Sequence, residues 1–274
     1  MSTIKDKEWN SLWSNDDLNV WIDAFPDPDE AFYPSTPIID AHHHLFPDGR
    51  KHNPSFDSTR FASVGRASTT SKYLREEWNH DTSKVNVVAS VYVEGRSGYD
   101  KSLRFPSVGE ASFVRKIHEE SPSSGLCKGF VGVIDILGSD DDIREAIKAH
   151  RSALDGSGVI FCGIRLSLAH DPRFFCVPRP ERVSDYARGL RIIGSHGLTV
   201  DVWIYHTQIP ELVELAELCT DTKFICDHVA MPLGSDEAVF TEWKKSMTRL
   251  SQLPNVHVKL GRLDDPVRVL PGFD

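Results

Sequence analysis

Two histidines separated by a single residue, His42 and His44, close an apolar run in Pro37-Ile38-Ile39-Asp40-Ala41-His42-His43-His44-Leu45-Phe46. Along a β-strand successive side chains alternate faces, so His42 and His44 project together while His43 points the other way. Two neutral imidazoles held on one face can take a divalent metal through their ring nitrogens, or polarise a substrate carbonyl without a metal. Ile38-Ile39 reads as a buried strand and Pro47-Asp48-Gly49 as the loop after it, which favours this reading over a histidine-rich surface turn. Further along, single ionisable residues close other apolar runs: Glu94, Arg165, His206 after Tyr205, and the pair Asp227-His228 ahead of the loop Val229-Ala230-Met231-Pro232.

The elements that must position these residues are short β-rich runs alternating with helical stretches, the pattern of repeated βα units around a parallel sheet. The runs are 38–40, 85–93, 129–134, 159–166, 198–204, 223–227 and 256–260, which predicts seven strands. Helices are expected over 109–120, 141–154, 184–195 and 209–218, several with apolar residues at i, i+3, i+4 spacing. Pro210 suits a first helical turn, and Glu211 and Glu214 suit its positive end.

The fold class is therefore α/β, a TIM-barrel-like (β/α) barrel. Seven strands are recognised, and an eighth would be expected to follow Leu260 after another helix. By this expectation the barrel is incomplete, lacking roughly 30 residues or more, the size of one βα unit. Residues 37–274 make the barrel domain. Residues 1–36, with Trp9, Trp13 and Trp21 among many charges, read as an N-terminal extension packed over a barrel end or onto a partner copy in a homo-oligomer.

In a parallel barrel the active site lies at the carboxyl ends of the strands, and this rule selects the same residues. His228 is placed to reach the cavity of His42 and His44, with Asp227 orienting a neighbouring ring or capping the turn. Arg165 stands on an otherwise apolar strand, where a charge must be paired or aimed at an anionic substrate; its planar fork suits a carboxylate. Glu94 is either a substrate contact or the partner of Arg165. His206 is either at the mouth or an exposed loop residue. His52, His80, His118, His150, His170 and His196 are expected to be solvated, and His257, in same-face register with Lys259, to be structural.

The 274 residues suit a single α/β barrel. Apolar residues make 40% and charged residues 26% of the chain, as in soluble globular proteins. The 40 acidic against 31 basic residues give a formal charge of −9, which argues against a nucleic-acid partner. The first nineteen residues contain no apolar core of signal-peptide length, and the chain has no membrane-spanning apolar run, so a cytoplasmic protein is expected. The five cysteines contain no CxxC pair and suit reduced thiols, with Cys162 and Cys226 as small buried apolar residues.

Taken together, Ile39-Asp40-Ala41-His42-His43-His44-Leu45, Gly129-Phe130-Val131-Gly132-Val133-Ile134-Asp135, Gly163-Ile164-Arg165-Leu166, Gly197-Leu198-Thr199-Val200-Asp201, Phe224-Ile225-Cys226-Asp227-His228-Val229-Ala230-Met231-Pro232 and Asn255-Val256-His257-Val258-Lys259-Leu260 carry a resemblance. From Pro37 to about Leu260 the chain resembles the amidohydrolase-related family of metal-dependent TIM-barrel hydrolases, in the branch of sugar-acid lactonases and the pyrone-dicarboxylate lactonase. The resemblance implies that His42 and His44 are the first-strand pair and His228 the sixth-strand histidine facing the scissile carbonyl, all three as catalytic residues and as ligands of a divalent ion, zinc or manganese. Some members of this branch work without a metal. The family's strand-eight aspartate, the general base for water, has no matching position here; Asp264 and Asp265 follow strand seven.

The expected activity is water attack on the lactone of a carboxylated small molecule, with Arg165, Glu94 and His206 as substrate contacts. Non-oxidative decarboxylation of an aromatic acid and a catalytically silent truncated barrel are the alternatives. No nucleic-acid or membrane partner is expected.

Overall fold

The computed structural model describes residues 37–45, 86–120, 125–172, 175–176, 182–234 and 236–261. The expected extension over 1–36, the loop at Pro47-Asp48-Gly49, His52, His80, Asp264 and Asp265 lie outside these.

Seven parallel strands form one sheet: β1 (Ile38–His43), β2 (Val87–Val93), β3 (Gly129–Gly132), β4 (Ile160–Ser167), β7 (Thr199–Trp203), β8 (Phe224–Cys226) and β9 (Val256–Val258). Their spatial order is their order along the chain, as right-handed βα units winding in one direction require. The sheet is a curled half-barrel. Lys259, the residue after β9, reaches back to His42 on β1, so the two ends of the sheet converge at their carboxyl ends. A two-stranded antiparallel ladder, β5 (His170–Asp171) with β6 (Phe175–Cys176), is inserted after β4.

Among the described residues five α-helices accompany the strands: α1 (Val108–Glu120), α2 (Asp140–Leu154), α3 (Ala187–Ser195), α4 (Ile209–Leu218) and α5 (Glu237–Leu250). Local chemistry explains their starts. The Ser139 hydroxyl accepts from Asp142 N at the start of α2, ahead of three aspartates at the positive end of the helix dipole. Asp236 accepts from Ala238 N and Val239 N at the start of α5. Pro210 sits in the first turn of α4.

The core lies between sheet and helices, with Ile147, Ile164, Leu190, Val200, Leu212 and Phe224 buried together. Gly163 has a strict steric reason: a Cβ there would lie 2.4 Å from the Thr199 carbonyl oxygen on the adjacent β7. Among the described residues no helix is long and apolar enough to cross a membrane.

The structure corrects several expectations. His118 and His150 are buried rather than solvated. Each donates from Nδ1 to a carbonyl, of Leu126 and Ala146 respectively, at 2.8 Å, and His150 stacks on Phe161 at 5.2 Å between ring centroids. An imidazole that hydrogen-bonds within its own turn can face a core without an unsatisfied donor. Cys226 is buried as expected, whereas Cys162 is only half-buried. His257 is exposed on β9.

Candidate active site at the carboxyl ends of the strands

The last residue of β1 is His43, so His42 is still in strand conformation and His44 directly follows it. Alternation then sends His43 outward to the Ser90 hydroxyl on β2, 2.8 Å away, and turns His42 and His44 inward together. His44 Nδ1 lies 2.8 Å from the Val93 carbonyl oxygen. A carbonyl only accepts, so His44 carries its proton on Nδ1 and turns an Nε2 lone pair inward. That nitrogen is 3.2 Å from His42 Nε2.

The other side of the His42 ring meets the opposite strands. Its Nδ1 is 3.5 Å from Asp227 Oδ1 and 3.3 Å from Lys259 Nζ, and its ring centroid is 4.6 Å from that of His228. Asp227 follows β8 and is fully buried. Its Oδ2 accepts from Arg165 Nε of β4 at 2.9 Å, and the Arg165 guanidinium lies 5.4 Å from the Trp203 ring. Lys259 forms an ion pair with Asp201 of β7 and stands 3.6 Å from Asp227 Oδ1. Asp201 is the register neighbour of Arg165 across β4 and β7, which brings both charges to the same level of the mouth.

Burial lowers the pKa of His42 despite Asp227, and lowers that of His44 further, helped by the Arg165 charge. Both rings are therefore neutral at pH 7. Burial also pushes Asp201 up to about 6, aided by repulsion from Asp227 and outweighing Lys259. Burial pushes Asp227 in the same direction, but the Arg165 and Lys259 charges beside it hold it well below the usual carboxylate range.

His228 rests on an unusual backbone. His228, Val229, Ala230 and Met231 all have positive φ, at 52°, 49°, 59° and 39°, with no glycine among them. Left-handed backbone costs an L-residue roughly 1–2 kcal/mol. The turn is closed by Met231 N donating to His228 O at 2.9 Å. Around it, Val229 N donates to Lys259 O at 3.1 Å, Lys259 N to Cys226 O at 2.9 Å, and the Trp243 indole to Val229 O at 2.8 Å. Strain sustained by so many surrounding bonds marks a segment whose conformation matters.

Of the expected substrate contacts, Arg165 reaches the cluster. It does not pair with Glu94; its carboxylate partner is Asp227. Neither terminal nitrogen of Arg165 hydrogen-bonds a described residue. Glu94 is buried at the end of β2, where the Ser167 hydroxyl donates to it at 3.4 Å across the mouth. His206 is a buried rather than exposed residue, and its Nδ1 accepts from Leu233 N at 3.2 Å, bracing the loop beyond the strained turn. Asp201 and Lys259 were missed among the candidates. The signal for Asp201 was present, since it is a charge between Val200 and Val202 on a strand, the same anomaly that singles out Arg165.

His42, Asp227 and His228 each offer a ligand atom within 4.8 Å of the others. The 3.2 Å between the facing nitrogens of His42 and His44 also matches a tetrahedral zinc site, whose edge is about 3.3 Å for Zn–N bonds of about 2.0 Å. The residues thus fit a divalent metal.

A curled sheet of parallel strands bearing neutral histidines, a buried carboxylate and an arginine at its carboxyl ends is an incomplete TIM-barrel with its ionisable cluster where such barrels carry their sites. The sequence matches the Amidohydrolase family over residues 39–273, and the chain belongs to that family. It is similar to the uncharacterized protein y4mH of Sinorhizobium fredii, 26% identical over 232 residues that cover 82% of this chain and 73% of that one. Its fold is similar to that of an amidohydrolase from Burkholderia multivorans solved with bound zinc, at 19% identity and a TM-score of 0.57, covering 85% of this chain and 72% of that one. It is also similar to that of a probable 2-pyrone-4,6-dicarboxylic acid hydrolase from Acinetobacter baumannii with citric acid bound, at 15% identity and a TM-score of 0.53, covering 83% and 71%.

Proposed function

We propose that this amidohydrolase opens the lactone of a carboxylated small molecule by attack of water. The observation that carries the reading is the convergence of His42, His44 and Asp227 beside His228 and next to a guanidinium whose terminal nitrogens hydrogen-bond no described residue. Two proteins of similar fold support it, one a probable pyrone-dicarboxylic acid hydrolase and the other an amidohydrolase solved with bound zinc.

Arg165 would bind the substrate carboxylate through its outer nitrogens while Nε stays on Asp227. His42, His44 and His228 would hold a divalent ion, zinc or manganese, which when bound polarises the carbonyl and makes water more acidic. Without it, the His42 Nε2 proton, which rests on the His44 Nε2 lone pair, would have to turn to the carbonyl oxygen to hydrogen-bond a developing oxyanion. Among the buried carboxylates here, Asp201, pushed up to about 6, has a proton affinity suited to accepting the proton of the attacking water near neutral pH. Glu94 and Ser167 would line the far side of the mouth.

The test is turnover by the purified chain, with and without added zinc or manganese, of 2-pyrone-4,6-dicarboxylate and sugar-acid lactones, followed by proton release. Aromatic acids are assayed in parallel for carbon dioxide release. Lactone opening that falls at least about 100-fold in His42→Ala/His44→Ala is expected. Carbon dioxide release without lactone opening, or no turnover of either class, would overturn the proposal.

A further inference from the structure

Lys259 is held more tightly than a surface lysine. Its backbone N–H and carbonyl both bond to the segment that carries His228, and its side chain is only 14% exposed. The ammonium meets Asp201, His42 and Asp227 together.

Two consequences follow for a metal at this site. The first is charge. Two carboxylates, Asp201 and Asp227, face two cations, Arg165 and Lys259, and the neighbouring His42 and His44 are neutral, so the cluster is already balanced. A divalent ion would enter a neutral site, whereas without Lys259 it would enter one of charge −1. Inside a protein such a difference is weakly screened.

The second is proton placement. An ammonium only donates, so its hydrogen bond to His42 Nδ1 requires a lone pair on that nitrogen and puts the His42 proton on Nε2, toward His44. A metal on the facing Nε2 atoms requires the opposite tautomer, with Nδ1–H turned to Asp227. The Lys259–His42 bond and that mode of metal binding exclude each other.

We propose that Lys259 is the built-in counter-cation of this site, standing where a divalent metal's charge would otherwise be compensated, and that it sets how tightly the site holds a metal. The inference rests on the reading that His42, His44 and His228 can hold one.

The experiment is titration of the metal-free 274-residue chain with Co²⁺, read by the visible absorption of the bound ion. Lys259→Met should bind Co²⁺ at least about tenfold more tightly than the parent, and Asp201→Asn, which leaves the ammonium and removes a negative charge, at least about tenfold more weakly. The double variant should return near the parent. Tighter binding is not something that damage to the fold produces. Should Lys259→Met fail to fold because Asp201 is left unpaired, Asp201→Asn and the double variant still decide. Parent binding with no gain in Lys259→Met, or no loss in Asp201→Asn, overturns the role of Lys259 alone. Absence of Co²⁺ binding by every chain overturns that role and the metal reading together.

Discussion

Replacing Arg165 with methionine tests the electrostatic frame of the mouth directly. The guanidinium and the Asp227 carboxylate are 10% and 0% exposed and 2.9 Å apart, so the substitution leaves a buried anion short of its nearest cation. Breaking one side of a buried pair costs about 3–5 kcal/mol. Lys259, 3.6 Å from the other oxygen, remains and places the cost at the lower end. Methionine keeps the apolar stem, and loss of the cation–π contact with Trp203 adds about 0.5–1 kcal/mol. A net loss of about 3.5–4 kcal/mol is expected, seen in urea as a midpoint shift of about 1.2 M at an m-value near 3 kcal/mol/M.

The sign with pH is fixed as well. The depressed pKa of Asp227 contributes stability above the ordinary carboxylate range, lost as pH falls through its folded value. Without Arg165 that pKa rises, so the deficit is largest at pH 7.5 and shrinks as pH falls toward about 4. Adding Asp227→Asn should restore most of the loss, because the stranded charge is gone. Under the proposed function, KM for the carboxylated substrate rises more than kcat falls. A deficit under about 1 kcal/mol, or one that does not change with pH, would refute the reasoning.

Three further outcomes are expected. Ala230→Gly in the left-handed turn should change stability by less than about 1 kcal/mol, because relief of about 1–2 kcal/mol of strain offsets the buried methyl and the added chain entropy; Ala146→Gly within α2 should cost about 1–2 kcal/mol, and thermal melts of the two variants check the contrast. Gly163→Ala should lose about 2–3 kcal/mol in urea denaturation, since its Cβ meets the Thr199 backbone at 2.4 Å and would part β4 from β7. Tm should rise as pH falls from 7 through about 6, because a carboxyl with a raised folded pKa takes up its proton in the native state first; Asp201→Asn should abolish that rise, and a parent Tm flat over this range would contradict it.

The fold and the first-strand pair were legible because both rest on period. Alternation alone turns His42 and His44 to one side, and repeated βα units dictate a parallel sheet in chain order. Burial of His150 was legible in principle too, since it continues the Ile143, Ala146, Ile147 face of α2, but its polar identity argued for solvent. Arg165 was found as a charge on an apolar strand, yet its partner was not. Which carboxylate it meets depends on the registers of β4 and β8 on the two sides of β7, and no local pattern encodes those. Lys259 was hidden for the same reason, because its contacts with Asp201 and His42 span 58 and 217 residues. The left-handed turn at His228 carries no glycine to announce it.

That turn and Lys259 act as one unit. The bonds from Val229 N to the Lys259 carbonyl and from Lys259 N to Cys226 O tie the end of β9 to the segment holding His228. The same lysine's side chain bears on His42, across the open side of the sheet. A slip of β9 by one residue would turn Lys259 out of the mouth and remove both supports of the strained turn. Left-handed backbone at four successive non-glycine residues is unfavourable in isolation, so without those supports the turn would relax and carry His228 away from His42. The register of β9 against β8, Phe224 with Val256 and Cys226 with Val258, therefore fixes the placement of His228 and the charge beside His42 together.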